Sequence, residues 1–133
     1  MAAQGFKITK HYLGLNTAWR AEYTQGQGGR AIGINSEMDA LPAIGHGCGH
    51  NLIAISGVGV AIALKAALQA QPHTSGKIVL LGTPGKEPSL RWLRCNLNSD
   101  KPTPAEEGGG GKVILLERGA YNDMDTCIMF VLF

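Results

Sequence analysis

The first third of the chain shows the apolar and polar alternation that is typical of strands. Residues 6–23 mix β-branched, aromatic and charged side chains in loose alternation, which predicts a pair of strands. The glycine-rich segment Gln25–Gly29 predicts a turn between two strands. The apolar run Ala31–Asn35 then predicts a buried strand that ends in the polar residues 36–39.

A helical pattern follows in the middle of the chain. Leu52–Ala70 is rich in alanine and leucine, and Asn51 is available as its N-cap. Gly57 and Gly59 each weaken a helix by about 1 kcal/mol relative to alanine, which suggests close packing against a neighbouring element. The apolar run Leu52–Leu64 is shorter than the roughly 20 residues that a bilayer span needs, so we expect a buried core helix.

The next apolar run, Lys77–Gly82, predicts a short buried strand. Strand, loop, helix and strand in this order indicate a βαβ unit in a mostly parallel sheet, and therefore the α/β fold class. Functional loops of such sheets lie at the carboxyl ends of the strands. We therefore expect the loop from Asp39 to His50 and the segment after Gly82 to lie side by side.

The second half of the chain changes in texture. Residues 85–104 are polar, interrupted by prolines and without a sustained period. Lys112–Arg118 predicts a short helix, and Asp125–Phe133 predicts a final strand, in which Cys127 is a small core residue. The chain ends inside this apolar run, which is unusual for a complete domain.

Composition narrows the class of protein. A chain of 133 residues with 44% hydrophobic and 17% charged residues predicts one globular domain and argues against a disordered chain. The net charge of +2 gives no reason to expect nucleic acid or a membrane as partner. Three cysteines and an N-terminus without signal-peptide features fit a reducing compartment, so a cytoplasmic location is expected.

Three side chains that bind metals lie together in the predicted loop: His46, Cys48 and His50, each separated by one glycine. Thiolate and imidazole are good ligands for zinc, and the glycines let the backbone bend so that neighbouring side chains converge on one ion. The alternative is a glycine-rich turn whose histidines hydrogen-bond the backbone. Spacing alone leaves the two interpretations equal.

Glu106 and Glu107 form the second candidate cluster. In metal-dependent hydrolysis one carboxylate ligates the ion while its neighbour takes a proton from the attacking water. The alternative is a pair of solvated glutamates that open a helix, where acidic side chains favour the positive end of the dipole. Taken alone, the pair favours this second interpretation.

Together these segments resemble the aminoacylase/carboxypeptidase family of zinc metallopeptidases, and within it the peptidase M20-type amidohydrolases and dipeptidases. The matching motifs are Glu37-Met-Asp-Ala-Leu-Pro42, Gly45-His-Gly-Cys-Gly-His-Asn-Leu-Ile-Ala54, Gly82-Thr-Pro84 and Ala105-Glu-Glu-Gly-Gly-Gly-Gly-Lys112. The resemblance covers about residues 5–84 and 105–129. It implies an incomplete three-layer α/β/α catalytic domain of the zinc-peptidase type.

The resemblance also implies roles for individual residues. Cys48, His50 and Glu107 match metal ligands, and Glu106 matches the general base. Asp39 matches the aspartate of the Asp-Ala-Leu-Pro motif, for which we expect a supporting role near the metal. The implied cofactor is Zn, Mn or Co, with two ions in the complete enzyme, and the implied substrates are dipeptides or N-acyl amino acids. The expected activity is hydrolysis of their amide bonds.

The chain departs from the family pattern in two places. Residues 85–104 separate Pro84 from Ala105, which adjoin in the family, and we interpret them as an insert that read-through of an intron would produce. Two further histidine ligands and the lid or dimerisation domain of the family do not appear in these 133 residues, so a homodimer is expected only for a full-length enzyme. The alternative function is therefore a truncated, inactive fragment with at most partial metal binding.

Overall fold

The computed structural model describes residues 1–40, 45–84 and 110–131, which form one five-stranded sheet and two α-helices. In chain order the elements are β1 (Lys7–Lys10), β2 (Trp19–Gln25), β3 (Arg30–Glu37), α1 (His50–Gln69), β4 (Gly76–Thr83), α2 (Gly111–Glu117) and β5 (Thr126–Met129). The predicted insert, residues 85–104, lies outside the described residues.

The sheet is mixed, with the strand order β1-β2-β4-β3-β5. The pairs β1/β2 and β2/β4 are antiparallel, whereas β3/β4 and β3/β5 are parallel. The strand pair predicted within residues 6–23 is confirmed, but the expectation of a mostly parallel sheet is wrong. A short connection between β1 and β2 returns the chain in the opposite direction, whereas a parallel pair needs a crossover of a dozen or more residues.

The predicted βαβ unit is confirmed. β3 and β4 pair in parallel from Arg30↔Gly76 to Glu37↔Thr83, and α1 crosses between them. Since parallel strands end at the same edge of a sheet, the residues that follow β3 and those that follow β4 start next to each other. The expected proximity of the loop after Asp39 and the segment after Gly82 follows from this register.

Apolar residues pack on both faces of the sheet. Ile78 and Leu80 of β4 lie on the side of α1, with Ile34 and Ala61, whereas Val79 and Leu81 lie on the side of α2, with Leu115 and Ala120. This alternation follows from the period of two in a strand, in which successive side chains point to opposite faces. The described residues thus have helices on both faces of the sheet.

The start of α1 differs from the sequence-based prediction. The N-cap is Gly49, with a left-handed φ of 72°, and its carbonyl accepts hydrogen bonds from the backbone N–H groups of Leu52 and Ile53. The prediction that Asn51 caps this helix is wrong, because Asn51 already lies within the first turn. Glycine adopts the left-handed conformation at little cost, which allows the loop to turn directly into the helix at His50.

Only one side of α1 is buried, so the expectation of a fully buried core helix is wrong. Its buried residues are His50, Ile53, Ala54, Gly57 and Ala61. The opposite side exposes Leu52, Ile55, Val60 and Ile62. By length and composition α1 is able to cross a membrane, which is weak evidence, since core helices of soluble proteins pass the same test.

The two glycines of α1 have different surroundings. A Cβ at Gly57 would lie 3.3 Å from the Asn35 carbonyl oxygen and 3.3 Å from Ser36 Cβ, so the close packing predicted there is confirmed. A Cβ at Gly59 would meet no atom within 4 Å, so the same prediction for Gly59 is wrong. Nearby, the Ser36 hydroxyl donates a hydrogen bond to the Ala54 carbonyl at 3.0 Å and fastens α1 to β3.

The elements of the C-terminal part are shorter than predicted or equal to the prediction. The helix expected at 112–118 is observed as α2, and the strand expected at 125–133 is observed only as β5, at the edge of the sheet beside β3. Cys127 of β5 is half-buried, and burial raises the pKa of its thiol. Ile128, Phe130 and Val131 are each about half exposed along this edge.

A buried arginine attaches the turn after α2 to the sheet. Arg20 of β2 donates hydrogen bonds to the Tyr12 hydroxyl at 2.9 Å, to Glu22 at 2.9 Å and to Asp123 Oδ1 at 3.0 Å. Hydrogen bonds from Arg20 and then from Lys77 lower the pKa of Asp123 to about 2, against the opposing effect of burial. The ion pairs therefore neutralise the charge of a guanidinium that is 5% exposed.

Candidate functional site

The polar residues of the candidate site begin at the carboxyl edge of the two parallel strands. Glu37 is the last residue of β3 and Thr83 the last residue of β4, and the two are partners in the register. They are 2% and 3% exposed, although both are polar. Buried polar groups at the carboxyl edge of parallel strands are typical of a functional site in an α/β sheet.

His50 occupies the centre of this edge because α1 begins there. Its Nδ1 lies 2.9 Å from Asp39 Oδ1, and the two side chains are 6% and 4% exposed. An ionised Asp39 accepts a hydrogen bond from Nδ1–H, which fixes the tautomer and the orientation of the ring. The second nitrogen, Nε2, then carries the lone pair and is available to a ligand.

Two further charged groups complete the polar cluster. Oε2 of Glu37 lies 3.5 Å from His50 Nε2, while Oε1 of Glu37 accepts a hydrogen bond from the Lys112 ammonium. Lys112 comes from α2, so this ion pair connects α2 with the end of β3. Its ammonium also lies 3.8 Å from the Met129 sulfur of β5. Four elements of the fold thus meet at the cluster.

The structure brings only some of the predicted site residues together. Asp39 and His50 are in contact, whereas Cys48 and His46 lie in the exposed turn before α1. In that turn the Gly49 N–H donates to the His46 carbonyl at 2.9 Å. Glu106 and Glu107 lie outside the described residues, and their predicted roles stay predictions. Within residues 1–40, 45–84 and 110–131, no three His, Cys, Asp or Glu side chains are arranged to hold a metal ion.

Glu37 and Lys112 are members of the cluster for which the sequence predicted no role. Both belong to the motifs that carried the family resemblance, but neither stood out by spacing. The signal that pointed to Glu37 is its position at the end of a strand, two residues before Asp39, because alternate residues of an extended chain point to the same side. Lys112 gave no such signal, since a lysine in the first turn of a helix is ordinary on a protein surface.

The donor set partly fits a divalent metal ion. A carboxylate on one imidazole nitrogen, with the other nitrogen left to the ion, is the usual arrangement of a metal-binding histidine. His50 and Asp39 have this arrangement, and the Cys48 thiol lies two residues away in the chain. Glu37 adds a buried carboxylate next to the available nitrogen.

An open cleft of about 290 Å³ lies beside the start of α1 and is lined by Met38, His46, Asn51, Ala54, Ile55 and Val58. Most of these side chains are apolar, and His46 and Asn51 flank the His50 segment. A larger open cavity, of about 430 Å³, lies near Trp19 and His11 and shares no residue with the cluster. The smaller cleft is therefore the one next to the candidate chemistry.

No family model matches the chain. Among curated proteins, the Xaa-Arg dipeptidase of Mus musculus is 40% identical over 135 residues, and that of Homo sapiens is 37% identical over 138 residues. A p-aminobenzoyl-glutamate hydrolase of Escherichia coli (strain K12) is 27% identical over 145 residues of one of its chains. Each alignment covers 96% of this chain.

A solved structure shows the same fold. It is the Bacillus subtilis YXEP protein, described as a dinuclear metal binding peptidase from the M20 family. It matches 95% of this chain with a TM-score of 0.61 at 20% sequence identity. The chain belongs to the M20 peptidase family. It spans about a quarter of the length of the curated M20 relatives and 32% of the Bacillus chain.

Proposed function

We propose that this M20 chain supplies part of the metal centre of a hydrolase that cleaves amide bonds in dipeptides or N-acyl amino acids. The observation that carries the proposal is the buried Asp39–His50 pair, 2.9 Å apart at the carboxyl edge of β3 and β4. A histidine buried and oriented in this way is arranged as a metal ligand. The dipeptidase relatives support the proposed substrate class.

In this proposal Cys48, His50 and Glu107 hold the ion, which is Zn, Mn or Co. A divalent ion bound there polarises the amide carbonyl and lowers the pKa of the attacking water. Glu106 takes the proton from the water as its oxygen bonds to the carbonyl carbon, and returns it to the nitrogen as the C–N bond breaks. Asp39 holds the His50 ring in the orientation that binding requires.

The names of the curated relatives favour one substrate class. An Xaa-Arg dipeptide and p-aminobenzoyl-glutamate both contain an acyl group linked by an amide to the nitrogen of an amino acid. We therefore propose that the substrate of this M20 chain has the same linkage. The apolar cleft between Met38 and Val58 is suited to an uncharged part of such a molecule.

A second candidate function concerns residues 1–133 on their own. Because the described residues contain no group of three metal-holding side chains, this polypeptide alone is expected to bind a metal ion weakly and to show no turnover. Incomplete ligation leaves the charge and the geometry of the ion uncompensated. The two candidates agree on a metal site at His50 and differ on catalysis.

The experiment measures metal binding and turnover on the same polypeptide of residues 1–133. Zn, Mn or Co is added, and hydrolysis of an Xaa-Arg dipeptide and of an N-acyl glutamate is followed by amine release. We expect His50→Asn to weaken metal binding at least tenfold and His73→Asn, in an exposed turn, to leave it unchanged. Metal-dependent turnover that Glu106→Gln abolishes supports catalysis by this polypeptide and contradicts the second candidate. No metal binding at all contradicts both.

A further inference from the structure

The side chain of Glu37 is a buried carboxylate without an assigned role. It is 3% exposed and ends β3 at the site edge, where its two oxygens face different partners. We infer that Glu37 is a further ligand of the metal ion, bound through Oε2 next to His50 Nε2. The inference rests on the proposed metal site at His50, and it does not depend on turnover.

The distance between the two donor atoms fits a shared ion. Oε2 of Glu37 and Nε2 of His50 are 3.5 Å apart. Two ligands at about 2.0–2.1 Å from a tetrahedral ion are separated by roughly 3.3 Å, which follows from the tetrahedral angle. A movement of a few tenths of an ångström therefore brings both atoms into the coordination sphere of one ion.

The arrangement of protons and charges points the same way. With the Nδ1 proton directed to Asp39, Nε2 presents a lone pair towards a carboxylate oxygen, and two acceptors repel each other unless a cation lies between them. Lys112 binds the other oxygen, Oε1, and so leaves Oε2 to this contact. The described part of the chain thus presents two converging donor atoms that are already oriented by neighbouring groups.

A second observation at the same edge indicates a missing polar partner. Thr83, the register partner of Glu37, is 3% exposed, and its Oγ1 has no hydrogen-bond partner among the residues that the structure describes. Buried hydroxyl groups without a partner are rare because desolvation costs free energy. A ligand or water held at the Glu37 site supplies such a partner.

The test is a titration of residues 1–133 with Co²⁺, followed by the visible absorption of the ion, with Zn²⁺ as competitor. Glu37→Gln keeps the size of the side chain and an oxygen for Lys112 but removes the charge. We expect this variant to weaken Co²⁺ binding at least tenfold and to change the absorption spectrum. The matched control is Glu117→Gln, which makes the same change in an exposed side chain of α2 and is expected to alter affinity less than twofold.

The competing interpretation is a structural carboxylate that only holds α2 through Lys112 and binds a protonated His50. In that case Glu37→Gln lowers the melting temperature but leaves Co²⁺ affinity and spectrum as in the unaltered chain, which overturns the inference. Absence of Co²⁺ binding to the unaltered chain also overturns it. If Glu37→Gln does not fold, zinc anomalous diffraction of the unaltered chain decides. A Glu37 oxygen at about 2.0–2.2 Å from the ion supports the inference, and its absence from the coordination sphere overturns it.

The two proposals fail in different ways. Metal binding that depends on Glu37 and His50, without hydrolysis of any substrate, leaves the inference intact and contradicts catalysis by these residues. Hydrolysis that persists in Glu37→Gln with unchanged Co²⁺ affinity supports the proposed function and contradicts the inference.

Discussion

The imidazole Nδ1 of His50 lies 2.9 Å from Oδ1 of Asp39, and both side chains are almost completely buried. Asp39 follows β3 and His50 begins α1, so the contact closes the loop between these two elements. A carboxylate in this position increases the basicity of the ring and fixes which nitrogen is protonated. The pair thus prepares one nitrogen for a metal ion before any ion binds.

The first prediction concerns this pair. We expect Asp39→Asn to weaken metal binding by about 10- to 100-fold, because an amide holds the ring less firmly and contributes no negative charge. A competition titration with a chromophoric zinc chelator measures the change. Asp125→Asn is the control, since Asp125 lies just before the start of β5, whereas Asp39 follows the end of β3. Equal affinity of Asp39→Asn and the unaltered chain would contradict the proposed orienting role.

The second prediction uses the two glycines of α1. We expect Gly59→Ala to raise the free energy of unfolding by about 0.5–1 kcal/mol, because the added methyl meets open space and alanine favours the helix. Gly57→Val should lower it by about 1–3 kcal/mol, because the branched side chain meets the backbone of β3. Urea unfolding of both variants measures the difference. Similar destabilisation of both would show that α1 does not pack on β3 through Gly57.

The third prediction is a pH dependence. Hydrogen bonds from Arg20 hold the pKa of Asp123 at about 2, below its ordinary 3.8. A carboxylate whose pKa is lowered by folding stabilises the native state fully above its unfolded pKa, and this contribution is lost as the pH falls through about 2. Since Asp123 is 46% exposed, we expect the contribution to be only about 0.5–1 kcal/mol after allowance for solvent screening.

Urea unfolding between pH 5 and pH 2 tests this expectation. The unaltered chain should lose stability over the lower part of this range, and Asp123→Asn should lose less, because the titrating group is gone. Asp125→Asn is a comparison, because hydrogen bonds from the Ala31 N–H and from Arg30 also lower the pKa of that carboxyl group, which is solvent exposed. Identical pH profiles for Asp123→Asn and the unaltered chain would disprove the contribution of the Arg20–Asp123 pair.

The fourth prediction concerns self-association through the edge strand β5. Within the described residues β5 pairs only with β3, and Ile128 beside its free edge is 48% exposed. An exposed apolar strand edge offers hydrogen-bonding groups to another chain, and a charge there opposes such pairing. We expect Ile128→Lys to reduce light scattering of a concentrated solution. Leu116→Lys, at an exposed position of α2, should reduce it less, and an equal effect of both variants would assign the association to general hydrophobicity.

The fold could be predicted from sequence where the pattern was local. The periods of two and of 3.6 residues located β3, α1 and β4, and the order of these elements determined their parallel connection. The antiparallel placement of β2 beside β4 was not accessible, because it depends on which strand edge the N-terminal pair joins. The exposed side of α1 was missed for a similar reason, since alanine and leucine occur on both sides of this helix.

The candidate site was predicted in part. Asp39 and His50 belong to a dense motif, and their contact is consistent with it. The participation of Glu37 and Lys112 required the tertiary structure, because their ion pair joins the end of β3 to a helix far away in the chain. Charged residues at such positions are common in sequences, and only burial distinguishes Glu37 from a solvated glutamate.

The parallel pairing of β3 with β4 also determines when the site is able to form. Glu37 and Thr83 become neighbours only after the entire α1 crossover has closed, so the edge depends on contacts of high sequence separation. Such contacts form late and slowly, because the chain loses the entropy of a long loop before it gains their free energy. A metal ion that requires both Glu37 and His50 therefore recognises the closed topology rather than the local motif, and its binding shifts the folding equilibrium towards the native chain.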